Sequence, residues 1–153
     1  MLLAKRLDAG IVVLHDRRIP RSRANIDHIA IAPSGVWVID TKRYKGKVTI
    51  VKPLLGKAKL LIAGREKTTL IDGLAKQTQL ARAAMADIAP GVPVHGALCF
   101  VDAELPMLAR LTFNGYPLLY PKALAKRINA SGQLTAHDLQ AIARELAARF
   151  PSA

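Results

Sequence analysis

The sequence predicts an α/β domain in which helices flank a central mixed β-sheet. Residues 11–62 contain short apolar runs separated by Gly and Pro, a pattern typical of β-strands. Residues 67–89 then place apolar side chains at spacings of three and four, which indicates a helix. A further apolar run at 94–101 and two helical segments after residue 120 complete an alternation of strands and helices.

The first elements lie before residue 25. Residues 2–7 resemble the last turn of a helix, and Gly10 suits the left-handed cap that ends it. Residues 11–14 predict a strand. An irregular loop around Pro20 follows, and it carries four arginines: Arg17, Arg18, Arg21 and Arg23.

Two apolar runs, residues 26–32 and 36–42, predict a β-hairpin, because only Pro33-Ser34-Gly35 separates them. A two-residue turn at Pro33-Ser34 pairs residue 32 with residue 35. Continued along the strands, the same register sets Asp27 opposite Asp40 at the open end of the hairpin. A three-residue turn would shift this pairing by one position and would still leave the two carboxylates at the open end.

The remaining elements follow from the same periodicities. Strands are predicted at 47–51, 60–62, 94–101 and 116–120, and helices at 67–89, 121–129 and from Thr135 onward. Thr135 and Asp138 fit a capping arrangement for the last helix. We therefore expect residues 1–153 to form a single domain whose C-terminal part, residues 121–153, is helical.

The chain is strongly basic, with 23 Lys and Arg against 11 Asp and Glu and a net charge of +12. Residues 1–60 hold 13 basic and 4 acidic residues (+9), whereas residues 61–153 hold 10 and 7 (+3). An uneven basic field of this kind favours a polyanionic partner, because binding to phosphates releases condensed counterions. The alternative is a charge that serves only solubility.

Other features bear on compartment and cysteine chemistry. No segment has the roughly 20 apolar residues that span a bilayer, and the first residues lack the apolar stretch of a signal peptide, so a cytoplasmic location is expected. The single cysteine, Cys99, excludes an internal disulfide, and its apolar surroundings favour a buried core thiol.

Three charged residues, Asp27, Asp40 and Lys42, interrupt otherwise apolar strands. Burying such charges is unfavourable unless they are paired or bind a metal. Asp40 and Lys42 are two residues apart, so they project from the same face of a strand. Two carboxylates and a lysine suit phosphodiester hydrolysis with Mg²⁺ or Mn²⁺, which activates water while the lysine orients it or stabilises the oxyanion. The alternative is an ion pair at a strand end.

The residues around this trio carry a denser pattern. Residues 25–29 (NIDHI), residues 33–42 (PSGVWVIDTK), Tyr44 and Gly46 resemble the nuclease-related domain (NERD) family of the PD-(D/E)xK nuclease superfamily. The resemblance extends more loosely to residues 14–20, to Gln77 and to residues 92–101, and it covers the chain from residue 10 to about residue 120.

This resemblance implies a restriction-endonuclease-like core and a role in DNA processing. By motif position, Asp27 and Asp40 are metal-binding carboxylates, the backbone carbonyl of Thr41 is a further metal ligand, and Lys42 is the catalytic lysine. Gln77 would position backbone or water, with a polar residue at the sheet edge as the alternative.

The family usually carries a Gly-Glu pair on a helix before the first strand, and that Glu can complete the metal site. Residues 1–26 contain no Glu, and we expect the chain to begin inside that helix. His28 should project from the opposite face of its strand to Asp27, which favours a structural hydrogen bond over metal ligation.

Further basic residues follow the motif. With the four loop arginines, Arg43, Lys45 and Lys47 could line a groove that follows a phosphate backbone, and Tyr44 is the nearest side chain for base stacking. The alternative is a set of solvated loop charges. Three functions remain open: a Mg²⁺- or Mn²⁺-dependent nuclease acting on DNA (with RNA as an alternative), a non-catalytic nucleic-acid-binding module, and an interaction domain, with a homodimer among its forms.

Overall fold

A six-stranded mixed sheet forms the centre of the fold in the computed structural model, which describes residues 2–106 and 110–153. The predicted fold class, a mixed sheet flanked by helices in a nuclease-like α/β fold, is confirmed.

The elements have the following bounds. The strands are β1 (Val12–Arg18), β2 (Asn25–Ala32), β3 (Gly35–Lys42), β4 (Gly46–Val51), β5 (Lys59–Ile62), β6 (Arg65–Glu66), β7 (Val94–Phe100), β8 (Ala103–Glu104), β9 (Thr112–Phe113) and β10 (Tyr116–Leu119). The helices are α1 (Leu70–Ile88), α2 (Pro121–Ile128) and α3 (Ala136–Arg149), and a short 3₁₀ turn covers Ala4–Arg6. The strand order of the large sheet is β1-β2-β3-β7-β10-β9, and a second, smaller sheet has the order β6-β5-β4-β8. Strand β2 runs antiparallel to both its neighbours, whereas β7 runs parallel to β3 and β10. Among residues 2–106 and 110–153, no helix combines the length and hydropathy that crossing a bilayer requires.

The two faces of the large sheet bury different clusters. Alternate residues of β3 face opposite ways, so Val36 and Val38 pack with α1, α3 and the small sheet. Trp37 and Ile39 point to the other face, where they pack with α2 and with Leu3 near the N-terminus. Because both faces of β3 are covered, the strand is apolar along most of its length, as its sequence predicted.

The β2–β3 hairpin has a two-residue turn, the shorter of the two turn lengths that the sequence allows. Its ladder runs from Ala32–Gly35 to His28–Ile39, which is the register expected from the sequence. Gly35 has φ +132°, and a Cβ there would lie 2.6 Å from the Pro93 carbonyl oxygen, so only glycine fits. The Ser34 hydroxyl donates to the Ile128 carbonyl at 2.8 Å and thereby fixes the turn against α2.

Two boundaries differ from the sequence predictions. The first strand extends to Arg18, so the prediction that Arg17 and Arg18 lie in an irregular loop is wrong. Both pair with β2 in the sheet, and their polar side chains hid the strand from an apolar pattern. Helix α1 begins at Leu70 rather than at 67, because the Lys67 amide donates to the Leu60 carbonyl at 2.7 Å and keeps residue 67 with β5.

Candidate active site

Asp40 and Lys42 end strand β3 at the open end of the hairpin. Asp40 follows the apolar run of β3, and its residue surface is only 7% exposed. The Lys42 Nζ lies 3.2 Å from Asp40 Oδ1, and both side chains project from the same face of the strand. A buried carboxylate with a single nearby cation is thus the central feature of this end of the sheet.

Asp27 completes a pair of carboxylates. The β2–β3 ladder ends at His28–Ile39, and the next step of the same register sets Asp27 opposite Asp40. Beyond the ladder, Asp27 Oδ2 accepts a hydrogen bond from the Thr41 amide at 3.2 Å. Asp27 also lies close enough to Asp40 to raise the pKa of that carboxyl group. The structure therefore brings together Asp27, Asp40, Thr41 and Lys42.

The electrostatics of this pair call for a positive partner. Burial raises the pKa of Asp40 to about 6, Lys42 opposes this rise, and the neighbouring Asp27 adds to it. Two adjacent carboxyl groups repel each other when both are ionised, so the pair favours a bound proton below about pH 6 and a cation above it.

The residues fit a hard divalent cation better than a soft one. The donors present are carboxylate and backbone oxygens, which Mg²⁺ and Mn²⁺ prefer. Within residues 2–106 and 110–153, no group of three or more His, Cys, Asp or Glu side chains could hold a metal. A pair of carboxylates suits Mg²⁺, which proteins commonly hold through one or two carboxylates with water and substrate phosphate as further ligands.

Gln77 reaches the site from helix α1. Its Nε2 donates to the Asn25 carbonyl at 3.2 Å, at the start of β2 and two residues before Asp27. Its Oε1 is buried without a partner, and so is the Thr41 hydroxyl. Gln77 thus contacts the strand that carries Asp27, and its Oε1 remains a buried acceptor without a partner.

His28 lies on the far face of the sheet from the carboxylates. Its Nδ1 is 2.9 Å from the Nδ1 of His15, its cross-strand partner in β1. Burial lowers the pKa of His28, and the nearby His15 lowers it further. This imidazole is therefore satisfied by a hydrogen bond within the protein.

Most of the basic residues singled out in the sequence are exposed near this end of the sheet. They are Arg18, Arg21, Arg23, Arg43, Lys45 and Lys47. Tyr44 lies beneath Lys67, whose Nζ is 5.3 Å from the ring centroid. An open depression of ≈ 550 Å³ is lined by His28, Thr41, Lys42, Arg43 and Tyr44, and neither Asp27 nor Asp40 lines it.

Arg17 departs from the expected phosphate contact. Its guanidinium donates to the Phe150 carbonyl at 2.7 Å, to the Ser152 hydroxyl at 2.9 Å and to the Ala147 carbonyl at 3.3 Å. These bonds satisfy carbonyls at the C-terminal end of α3. The Arg17 guanidinium is therefore engaged within the protein, where its donors hold the C-terminal segment in place.

Comparison with known families decides the assignment of the chain. The model of the nuclease-related domain, NERD, matches residues 1–101, which is about two thirds of the chain. The chain belongs to the NERD family. No curated protein and no solved structure gives a significant match. The region that matches NERD contains both carboxylates, Lys42 and Gln77.

Sequence reasoning left out part of the basic surface of this NERD chain. Lys52, Lys57 and Lys59 lie on or beside the β4–β5 loop, and all three are exposed. A count of charge along the sequence could have marked them, because residues 43–67 hold eight Lys or Arg and one Glu. Short motifs do not reveal this density of positive charge, because it is spread over 25 residues.

Proposed function

We propose that this NERD protein is a Mg²⁺- or Mn²⁺-dependent nuclease that hydrolyses phosphodiester bonds in DNA. The observation that carries the proposal is the pair formed by buried Asp40 and half-buried Asp27, with Lys42 beside it. A purely structural ion pair needs one carboxylate for one lysine. Here a second carboxylate adjoins the first, so two negative groups face a single lysine and a further cation would balance the charge.

Each residue has a distinct role in this proposal. Asp27 and Asp40 hold the cation, with the carbonyl of Thr41 as a further oxygen ligand. When bound, the cation lowers the pKa of a coordinated water and neutralises charge on the phosphate. Lys42, 3.2 Å from Asp40, lies within reach of the same space. Its ammonium orients the attacking water and stabilises the negative charge that develops on the phosphate.

Gln77 acts as a positioning residue in this scheme. Its bond to the Asn25 carbonyl holds the start of β2, and with it the backbone that presents Asp27. The buried, unpartnered Oε1 remains available to accept a hydrogen bond from water at the site.

The exposed cations supply the contacts to DNA. Arg18, Arg21, Arg23, Arg43, Lys45 and Lys47 would contact phosphates, and Tyr44 offers an aromatic ring for stacking beside Lys42. Phosphate contacts of this kind position the substrate without reading its sequence.

A specific observation favours a second candidate, a nucleic-acid-binding module with a degenerate nuclease site. Residues 1–26 contain no Glu to extend the pair of carboxylates, and the described residues contain no third ligating side chain beside them. Such a module would bind DNA with a steep dependence on salt, without any need for metal and without forming cut products.

A cleavage assay separates the two candidates. Linear and circular DNA are incubated with Mg²⁺ or Mn²⁺ and with wild type, Lys42→Ala or Asp40→Asn. Lys122→Ala serves as a control that removes an exposed charge on α2. The nuclease proposal expects cutting by wild type and the control, at least roughly a hundredfold reduced in the two site variants. Cutting that survives both site substitutions would refute it, and DNA binding without cutting by any protein would favour the binding module.

A further inference from the structure

The segment after the active-site strand forms a basic arm, residues 43–67, which contains β4, β5 and β6. It holds eight Lys or Arg and one Glu, a net charge of +7, which exceeds half of the +12 of the whole chain. Only two ion pairs occur within residues 2–106 and 110–153, Lys42–Asp40 and Arg149–Asp87, so no cation of the basic arm is neutralised by a neighbour there.

The two strands at the base of the basic arm are held close together. Gly46 has φ +110°, and a Cβ there would lie 2.6 Å from the Cβ of Ala63, so β4 and the turn after β5 approach closely. The Ala63 amide also donates to the Lys47 carbonyl at 2.9 Å. Since Lys42 ends β3 and the basic arm starts at the next residue, the base of the arm stands beside the proposed chemistry.

The tip of the basic arm is apolar and open to solvent. β4 and β5 pair as far as Val51–Lys59, and the loop between them carries Pro53, Leu54 and Leu55. Leu54 is fully exposed, Leu55 is 87% exposed and Val51 is 43% exposed. A single exposed leucine is ordinary, but two adjacent leucines held away from the core at a loop tip indicate a contact surface.

The charges around this tip decide the class of partner. Lys52, Lys57 and Lys59 surround the leucines, and the other exposed cations continue back along the basic arm to Lys42. A polyanion that passed the active site would therefore meet positive charge all the way to the tip. Proteins that bend DNA insert leucine or proline side chains between base steps while neighbouring cations hold the phosphates.

We infer that the basic arm grips duplex DNA beside the active site and that Leu54 and Leu55 wedge between its base pairs. This inference deepens the proposed nuclease function, on which its choice of DNA rests. The six residues of β4 span roughly 20 Å, the rise of about six base pairs. The wedge therefore meets the duplex several base pairs away from the phosphate at Lys42 and makes it easier to deform there.

The test measures binding in EDTA, so that cleavage plays no part. The probe is a 20-base-pair duplex with one 2-aminopurine, whose fluorescence rises when its base unstacks. Leu54→Ser with Leu55→Ser should abolish that rise and weaken binding by roughly tenfold, while the dependence on salt stays unchanged. The triple variant Lys52→Ala, Lys57→Ala and Lys59→Ala should bind DNA with a weaker dependence on salt. The slope of log K against log salt should become less steep by about 2.7, or about 0.9 per lost phosphate contact.

Matched controls separate the basic arm from general charge. The triple variant Lys122→Ala, Lys126→Ala and Arg127→Ala removes three charges from α2, on the other face of the large sheet, and should leave the slope nearly unchanged. Circular dichroism checks that every variant is folded. Unstacking and affinity that persist in the leucine variant would overturn the wedge. The wedge would also be overturned if the leucine variant lost binding to phosphatidylserine–phosphatidylcholine vesicles while it still unstacked DNA. Arm-dependent DNA binding by a protein that never cuts would refute the nuclease and leave the basic arm standing.

Discussion

The Asp27 carboxylate accepts a hydrogen bond from the backbone amide of Thr41 at 3.2 Å, one step beyond the last pair of the β2–β3 ladder. A side chain has thus taken the place of a backbone carbonyl as the partner of that amide. The bond keeps the two strands together where their ladder stops, and it holds Asp27 beside Asp40. The geometry of the proposed metal site is therefore set by the hairpin.

The raised pKa of Asp40 predicts how stability depends on pH in metal-free buffer. The folded protein keeps this proton up to about pH 6, whereas an unfolded chain releases it at roughly pH 4. Wild type should therefore lose stability as the pH rises from 4 through 6, compared with Asp40→Asn, which lacks this titration. Thermal unfolding of both proteins across this range measures the difference.

A cation should reverse this loss. Asp27 and Asp40 would hold Mg²⁺ at pH 7, where Asp40 has lost its proton, so millimolar Mg²⁺ should raise the Tm of wild type more than that of Asp40→Asn. If the Tm of wild type and of Asp40→Asn changed in the same way with pH and rose equally with Mg²⁺, the two carboxylates would not act as a pair.

Substitution of Arg17 should mainly lower stability, whereas substitution of the neighbouring Arg18 should mainly weaken DNA binding. Arg17→Ala removes hydrogen bonds from a charged donor to Phe150, Ser152 and Ala147, and we expect a loss of about 2 kcal/mol in the free energy of unfolding. Arg18→Ala, in the exposed neighbour, should change stability by less than about 0.5 kcal/mol and weaken DNA binding instead. Urea unfolding and anisotropy titrations measure both quantities. The reverse assignment of effects would contradict our account of Arg17.

Cys99 should be unreactive in the folded protein. It lies in the core on β7, and burial raises the pKa of its thiol to about 11, so almost no thiolate exists near pH 8. Ellman's reagent should label one thiol per chain in denaturant and none on the same timescale in native buffer. Rapid native labelling would place Cys99 at the surface.

The capping box of α3 offers a local test of the fold. The Thr135 hydroxyl accepts from the Asp138 amide at 3.2 Å, and the Asp138 carboxylate accepts from the Thr135 amide at 2.9 Å. Thr135→Ala should lower the free energy of unfolding by about 1 kcal/mol, whereas Thr135→Ser keeps the acceptor and should stay close to wild type. Equal destabilisation by the two substitutions would mean that packing of the methyl group matters more than the cap.

The sequence revealed features that depend on local chemistry. The Pro33-Ser34 turn and the facing positions of Asp27 and Asp40 followed from turn length and a period of two. Contacts between segments that are distant along the chain have no local sequence pattern that predicts them. Arg17 donates to Phe150, which is 133 residues away, so its anchoring role appears only in the folded chain. The orphaned Oε1 of Gln77 likewise depends on how α1 packs on the large sheet.

The central claim is that Asp27 and Asp40 together hold the divalent cation on which cleavage depends. Electron paramagnetic resonance of free Mn²⁺ during a protein titration tests it directly. Wild type should bind Mn²⁺ at this site. Asp40→Asn should bind at least roughly tenfold more weakly, and Lys42→Ala should bind as tightly or more tightly, because a repelling cation 3.2 Å from Asp40 is gone. Mn²⁺ affinity that is the same in wild type and Asp40→Asn would contradict the account.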